Sequence, residues 1–206
     1  MDDKTKNEVE ADIASFIEEA KGLLVNLPSD LSFVWDKSQT IKANGVGGTL
    51  LKPNLLGIGY NSDFKDKIQL NKNLRATVMH ECFHAVQGWS DEDALVEPKT
   101  LLEDAVLEGA ATAFERDIGC TKPEWASYED DKTMDDWLKE VKSKQKDPNS
   151  AEYYQYKFGA VRGTRWVLYK LGVWIADKAI LNNPKLNYAD LSTKTAQEIL
   201  SLAERG

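Results

Sequence analysis

Cysteine and histidine are scarce in this chain, with two of each among 206 residues, and long apolar runs are absent. The longest apolar stretches, such as residues 173–176, are far shorter than the about 20 residues that a membrane-spanning helix needs. The formal net charge is -8 and no dense run of Lys or Arg occurs, which disfavours binding to nucleic-acid phosphates. We therefore expect neither a membrane nor a nucleic acid as partner.

The N-terminus begins Met1-Asp2-Asp3 and has no basic segment followed by an apolar one, so nothing in it directs export. Cys82 and Cys120 are therefore expected to be reduced thiols. With 42% hydrophobic and 29% charged residues, the composition is that of a folded globular chain of about one domain. We expect a monomeric, cytoplasmic protein.

Hydrophobic periodicity predicts an α+β fold, with a small N-terminal sheet followed by a mostly helical part. Helices are expected over about residues 8–25, 71–87, 100–118, 134–144, 158–181 and 192–203, and strands over 31–35, 45–51 and 55–60. The last two strands should form a hairpin around the turn at residues 52–54. Gly57 and Gly59 leave one face of the third strand bare, which indicates a helix packed tightly on it more than a substrate backbone. The helix at 71–87 should begin at Asn71 or Asn73 and stop at Gly88.

The helix at residues 71–87 carries an HExxH motif, in which His80 and His84 are the only histidines of the chain. Residues four apart lie one turn apart on one helix face, so both imidazoles can bind one ion. Glu81 lies on the flank of this face, where its carboxylate can reach a water on the metal and act as general base. Cys82 points to the opposite side and is not counted as a ligand. This motif would arise by chance in about one such chain in a hundred or fewer.

A catalytic zinc has three protein ligands and one open position. Because both histidines are already used, the third ligand must be a carboxylate or, less favourably, Cys120. Glu108 is the preferred candidate, since enough chain follows His84 for a second helix to turn back against the first. The small residues 109–111 would allow the two helices to approach until the carboxylate reaches the ion.

Two neighbours of Glu108 are candidates for supporting the metal ligands. Asp104 lies one turn earlier on the same face and could orient a ligating histidine through its free ring N–H. Thr112, one turn later, is the rival for this role.

The HExxH motif together with residues 101–111, which include the segment Glu108-Gly109-Ala110-Ala111, resembles the gluzincin-type zinc metallopeptidases. The resemblance is to predicted Zn-dependent proteases with an EGxA-type second motif, and it covers about residues 45–180. It implies a zincin-like fold, Zn²⁺ as cofactor, a peptide or protein substrate, and Glu108 as third zinc ligand. A single metallopeptidase domain would then span 1–206, with the helix, sheet and HExxH helix in 1–90 and a helical sub-domain carrying the third ligand in 91–206.

Such families also place a tyrosine or histidine from a downstream helix near the oxyanion, often in a Tyr-x-x-Gly context, and both histidines of this chain are already used. Tyr156 and Tyr169 both fit this pattern, and Tyr169 is preferred because it opens an apolar helix. In the implied reaction Glu81 takes a proton from water and delivers it to the leaving amine, while the peptide lies along a strand edge near residues 55–61. The alternative is a catalytically weak or inactive zincin-fold protein that acts as a binding module, which the intact Glu81 disfavours.

Overall fold

The computed structural model describes residues 2–118 and 121–204, which form an α+β structure as the sequence predicts. The chain divides into two compact units. The first unit comprises the described residues of 1–96 and 118–121, and the second comprises residues 97–117 and the described residues of 122–206. No helix in the described ranges is long and apolar enough to span a membrane.

The first unit contains two long helices and a three-stranded sheet. Its elements are α1 (Asp3–Leu23), β1 (Ser32–Trp35), a 3-10 turn (Lys37–Gln39), β2 (Val46–Lys52), β3 (Leu55–Tyr60) and α2 (Lys67–Gln87). The strand order is β1-β3-β2, with β1 parallel and β2 antiparallel to β3. The predicted hairpin of β2 and β3 is therefore confirmed.

Strand β3 is the central strand of this sheet. Its residues 55–58 pair with β1 on one side, and β2 pairs along its other side. The expectation that a peptide could lie along a free edge near residues 55–61 is therefore wrong. Periodicity identified the hairpin but carried no information on which of its two outer edges β1 would occupy.

The bare face of β3 is covered by a 3-10 turn and a side chain, where an α-helix was expected. A Cβ built on Gly59 would lie 2.4 Å from the backbone nitrogen of Thr40, and one on Gly57 would meet the side chain of Leu51 at 3.1 Å. Helix α2 packs on the opposite face, where a Cβ on Gly48 would lie 2.7 Å from Cγ2 of Thr77. The glycines thus allow close packing on both faces of the sheet.

Helix α2 begins earlier than predicted and ends where predicted. Its N-cap is Asp66, whose carboxylate accepts a hydrogen bond from the Gln69 backbone N–H at 2.9 Å, so neither predicted asparagine is the cap. At the other end Gly88 has a φ of 74°, a left-handed conformation that glycine adopts without strain. Five large side chains anchor the helix in the core: Leu70, Leu74, Val78, Met79 and Phe83.

The second unit is mostly helical. Its elements are α3 (Leu101–Asp117), a 3-10 turn (Glu124–Ala126), α4 (Asp131–Val141), α5 (Ala151–Lys157), β4 (Ala160–Val161), β5 (Thr164–Arg165), α6 (Val167–Asn182), a 3-10 turn (Tyr188–Thr193) and α7 (Ala196–Ala203). Helix α3 packs on α6 through glycines on both helices, since a Cβ on Gly109 would lie 2.0 Å from the carbonyl carbon of Gly172. Gly109, which we expected to ease approach to the HExxH helix, therefore serves the contact with α6.

The largest error of the sequence-based assignment lies before α6. The predicted helix from residue 158 begins only at Val167, because β4 and β5 form a two-residue hairpin whose tip, Arg162 and Gly163, has φ angles of 51° and 85°. Helix α5 was not predicted at all. It is short, and Ser150 caps it by accepting a hydrogen bond from the Tyr153 backbone N–H at 3.0 Å.

Candidate metal centre

The two histidines of the motif converge on one side of α2. Their Nε2 atoms are 3.0 Å apart, and the rings lie nearly perpendicular, at 80°. Nitrogen atoms at this separation can share one ion at bond lengths of about 2.0–2.1 Å. The convergence follows from the four-residue spacing, because the side chains at these positions lie on the same helix face.

Two neighbouring side chains that were not predicted from the sequence hold the ring of His84 in place. Its Nδ1 lies 2.7 Å from Oε1 of Gln87, and the ring of Trp89 packs against it edge-on at a centroid distance of 4.6 Å. An Nδ1–H that donates to an amide oxygen leaves the lone pair on Nε2, which is the form that binds a metal. The i, i+3 spacing of Gln87 from His84 was the signal that could have revealed this partner.

Glu81 and Cys82 occupy different surroundings on the same helix. Glu81 is buried under β2, since a Cβ on Gly48 would lie 3.1 Å from its Cγ. Cys82 is completely buried, and this burial together with the charge of Glu81 raises the pKa of its thiol. A buried, protonated thiol is a packing group, in line with its exclusion as a ligand.

Glu108 is buried on α3 in the second unit, where its carboxylate meets a lysine. Nζ of Lys157, the last residue of α5, lies 2.8 Å from Oε1 of Glu108. Burial opposes the positive charge, but Glu108 and then Asp104 outweigh it and raise the pKa of Lys157 well above its usual value. The lysine is therefore an ammonium ion paired with the carboxylate that the sequence predicts as third ligand.

The two candidate supporting residues have other surroundings than expected. Asp104 is completely buried, with Oδ1 at 3.0 Å from Nζ of Lys146 and Oδ2 at 3.3 Å from Nζ of Lys157. The Asp104 carboxylate thus forms ion pairs with two lysines. The side chain that is hydrogen-bonded to Nδ1 of the His84 ring is Gln87. The Thr112 hydroxyl is buried and makes no hydrogen bond within the described residues.

The two candidate tyrosines are separated by their environments. The Tyr156 hydroxyl donates a hydrogen bond to Glu140, and burial and that carboxylate raise its pKa. Burial raises the pKa of Tyr169 as well, but here the nearby charge that adds most to the effect is Glu108. The charge of Glu108, the candidate ligand, therefore acts on Tyr169, whereas the Tyr156 hydroxyl is hydrogen-bonded to Glu140.

Three side chains offer ligand atoms that lie together. One ring nitrogen each from His80 and His84 and one carboxylate oxygen of Glu108 are all within 4.8 Å of one another. Two imidazoles and one carboxylate are a known set of zinc ligands in catalytic sites, and they leave a coordination position open for water or substrate. The donor set therefore fits zinc. Cys120, the less favoured third ligand, lies outside the described residues.

Comparison with known proteins agrees with this ligand chemistry. The model of a family described as predicted Zn-dependent protease (DUF2268) matches residues 5–201, nearly the whole chain. The chain belongs to this family. No curated protein and no solved structure gave a significant match.

Proposed function

We propose that this chain is a zincin-type metallopeptidase that hydrolyses peptide bonds with zinc held by His80, His84 and Glu108. One observation carries the proposal, namely that two ring nitrogens and one carboxylate oxygen lie within 4.8 Å of one another. Membership of a family described as predicted Zn-dependent protease supports the choice of metal and of reaction.

Zinc bound to these ligands would polarise the scissile carbonyl and lower the pKa of a coordinated water towards neutrality. Glu81 is proposed as the general base, which takes a proton from the attacking water and delivers it to the leaving amine. Its position next to His80 on α2 supports this role, because the carboxylate flanks the face that carries both imidazoles.

Tyr169 is proposed to donate a hydrogen bond to the oxyanion that develops on the substrate carbonyl. A tyrosine can do this only while its hydroxyl keeps its proton. Burial and the neighbouring charge of Glu108 raise the pKa of Tyr169, which supports a donor role. Tyr156 is the less favoured candidate, because its hydroxyl already donates a hydrogen bond to Glu140.

Metal analysis combined with digestion of casein or a peptide library tests this function. We expect the wild-type protein to contain zinc, to cleave peptides, and to lose cleavage when a chelator is added. Glu81→Gln should bind zinc like the wild type but lose activity by about 10²-fold or more. His80→Ala should lose both zinc and activity, whereas Glu18→Gln, which changes an exposed carboxylate of α1, should lose neither.

The outcomes distinguish the peptidase from the interaction module. A Glu81→Gln protein that cleaves peptides at the wild-type rate would refute the mechanism. A wild-type protein that binds zinc through His80 but cleaves nothing in the library would support the module. A protein whose zinc content does not depend on His80 or Glu108 would refute the metal centre itself.

A further inference from the structure

Four charged side chains meet in the second unit, three of them buried and Lys146 at the edge of the cluster. They are two carboxylates of α3, Asp104 and Glu108, and two lysines, Lys146 and Lys157, whose formal charges balance. Asp104 is 0% exposed, and Glu108 and Lys157 are each 6% exposed. Buried charges at this density require partners, since an uncompensated charge in the interior is strongly destabilising.

Lys157 bridges the two carboxylates. Its Nζ is 2.8 Å from Oε1 of Glu108 and 3.3 Å from Oδ2 of Asp104. The ring of Tyr153 also lies near the ammonium, at 5.4 Å from its centroid. A small rotation of the lysine side chain would therefore move its charge from one carboxylate to the other without exposing it to solvent.

The oxygen of Asp104 that faces Lys157 is an available acceptor. Oδ2 is buried and accepts no hydrogen bond from any described residue, although the ammonium lies 3.3 Å away. A buried carboxylate oxygen without a hydrogen bond is costly. The Lys157 ammonium thus lies closer to Glu108. A hydrogen bond from the same ammonium to Oδ2 of Asp104 would also be stabilising.

We propose that Lys157 competes with the metal for Glu108 and that Asp104 accepts Lys157 when the metal binds. Two cations sharing one carboxylate repel each other, so transfer of the ammonium to Asp104 lowers the cost of metal binding. Lys157 is thus a positioning residue that sets the affinity of the centre through Glu108. The inference rests on the proposed function only in taking Glu108 as a metal ligand.

Zinc dissociation constants, measured on metal-stripped protein by competition with a chromophoric chelator, test this exchange. Lys157→Met removes the competitor, so we expect zinc to bind about tenfold more tightly. The same change should lower the melting temperature of the stripped protein, because Asp104 and Glu108 lose a shared counter-ion. Asp104→Asn weakens the alternative acceptor, so we expect zinc to bind about tenfold more weakly.

The double variant separates this exchange from a purely structural role. When Lys157 is already Met, Asp104→Asn should change the zinc affinity by less than about twofold, because its effect acts through the lysine. Lys170→Met is the matched control, since Lys170 is a buried lysine paired with Glu129 at 2.9 Å. It should lower the melting temperature but leave zinc affinity within about twofold of wild type.

Changes in zinc affinity opposite to those expected would overturn the inference. If Lys157→Met leaves zinc affinity unchanged or weakens it, Lys157 does not compete with the metal. Should that variant fail to fold, Asp104→Asn decides alone, and an unchanged affinity overturns the exchange. Glu108→Gln separates this failure from failure of the metal centre, because wild-type zinc affinity in that variant would refute the centre itself.

Discussion

Gly109 and Gly172 face each other where α3 packs on α6, so closely that a Cβ on Gly109 would lie 2.0 Å from the Gly172 carbonyl carbon. Glu108 precedes one of these glycines, and Tyr169 lies three residues before the other. Because a side chain at either position would force the helices apart, the contact fixes the backbones that carry the proposed ligand and the proposed oxyanion donor.

Gly172→Ala should strongly destabilise the second unit. The new Cβ would lie 1.7 Å from the Ala105 carbonyl oxygen, and such overpacking costs about 1–3 kcal/mol or more. Gly22→Ala is the control, because its Cβ would meet nothing within 4 Å, and alanine favours a helix by about 0.5–1 kcal/mol. Denaturant unfolding of both variants measures the difference, and equal midpoints would contradict the packing.

Gln87→Ala should weaken zinc binding without removing a ligand. The amide oxygen that fixes the Nδ1–H of His84 is lost, and loss of such a partner costs about 10–100-fold in metal affinity. Gln69→Ala is a matched control on the same helix, since Gln69 is exposed and its side chain pairs with Asn73. Chelator competition measures both, and equal dissociation constants would show that Gln87 does not orient the ring.

Tyr169→Phe should lower kcat by about 10²–10³-fold while zinc content stays at the wild-type level, because only a transition-state hydrogen bond is lost. Tyr156→Phe should change kcat little, since its hydroxyl is bonded to Glu140. Steady-state kinetics on a cleaved library peptide compare the two variants. The reverse ranking would move the oxyanion role to Tyr156.

Cys82 should be inert to thiol reagents in the folded protein. Its side chain is completely buried, and this burial with the charge of Glu81 raises the thiol pKa, so the reactive thiolate is scarce at about pH 8. The measurement uses Cys120→Ser, so that only Cys82 is counted with a chromogenic disulfide. Concentrated guanidinium chloride should release one reactive thiol, and rapid reaction without it would contradict the burial.

Within α2, the sequence was informative because the chemistry is local. The spacing of the HExxH residues on a helix predicts that both imidazoles lie on one face, and the structure places their Nε2 atoms 3.0 Å apart. The end of the helix at Gly88 was equally predictable, because glycine readily adopts the left-handed conformation that ends a helix. The N-cap was missed because Asp66 precedes residues with no clear helical periodicity.

Elements that depend on distant partners were less predictable. The sequence alone indicated β2 and β3 as a hairpin, but the central place of β3 depends on β1, which precedes both in the chain and pairs in parallel. Helix α5 escaped detection because it is short and lies between charged, turn-forming segments. Its last residue, Lys157, is nevertheless the one that contacts Glu108.

By itself, the sequence determined which groups are the candidates for the chemistry: two imidazoles and the carboxylate proposed as general base at helical spacing, with a carboxylate on a later helix as the preferred third ligand. The tertiary structure alone decided which groups surround those residues, including Gln87 at His84 and Lys157 at Glu108. The physical reason is the distance along the chain over which each kind of interaction acts. Helical spacing is set by neighbouring peptide units, whereas the partners of a buried charge are set by how remote segments pack around it.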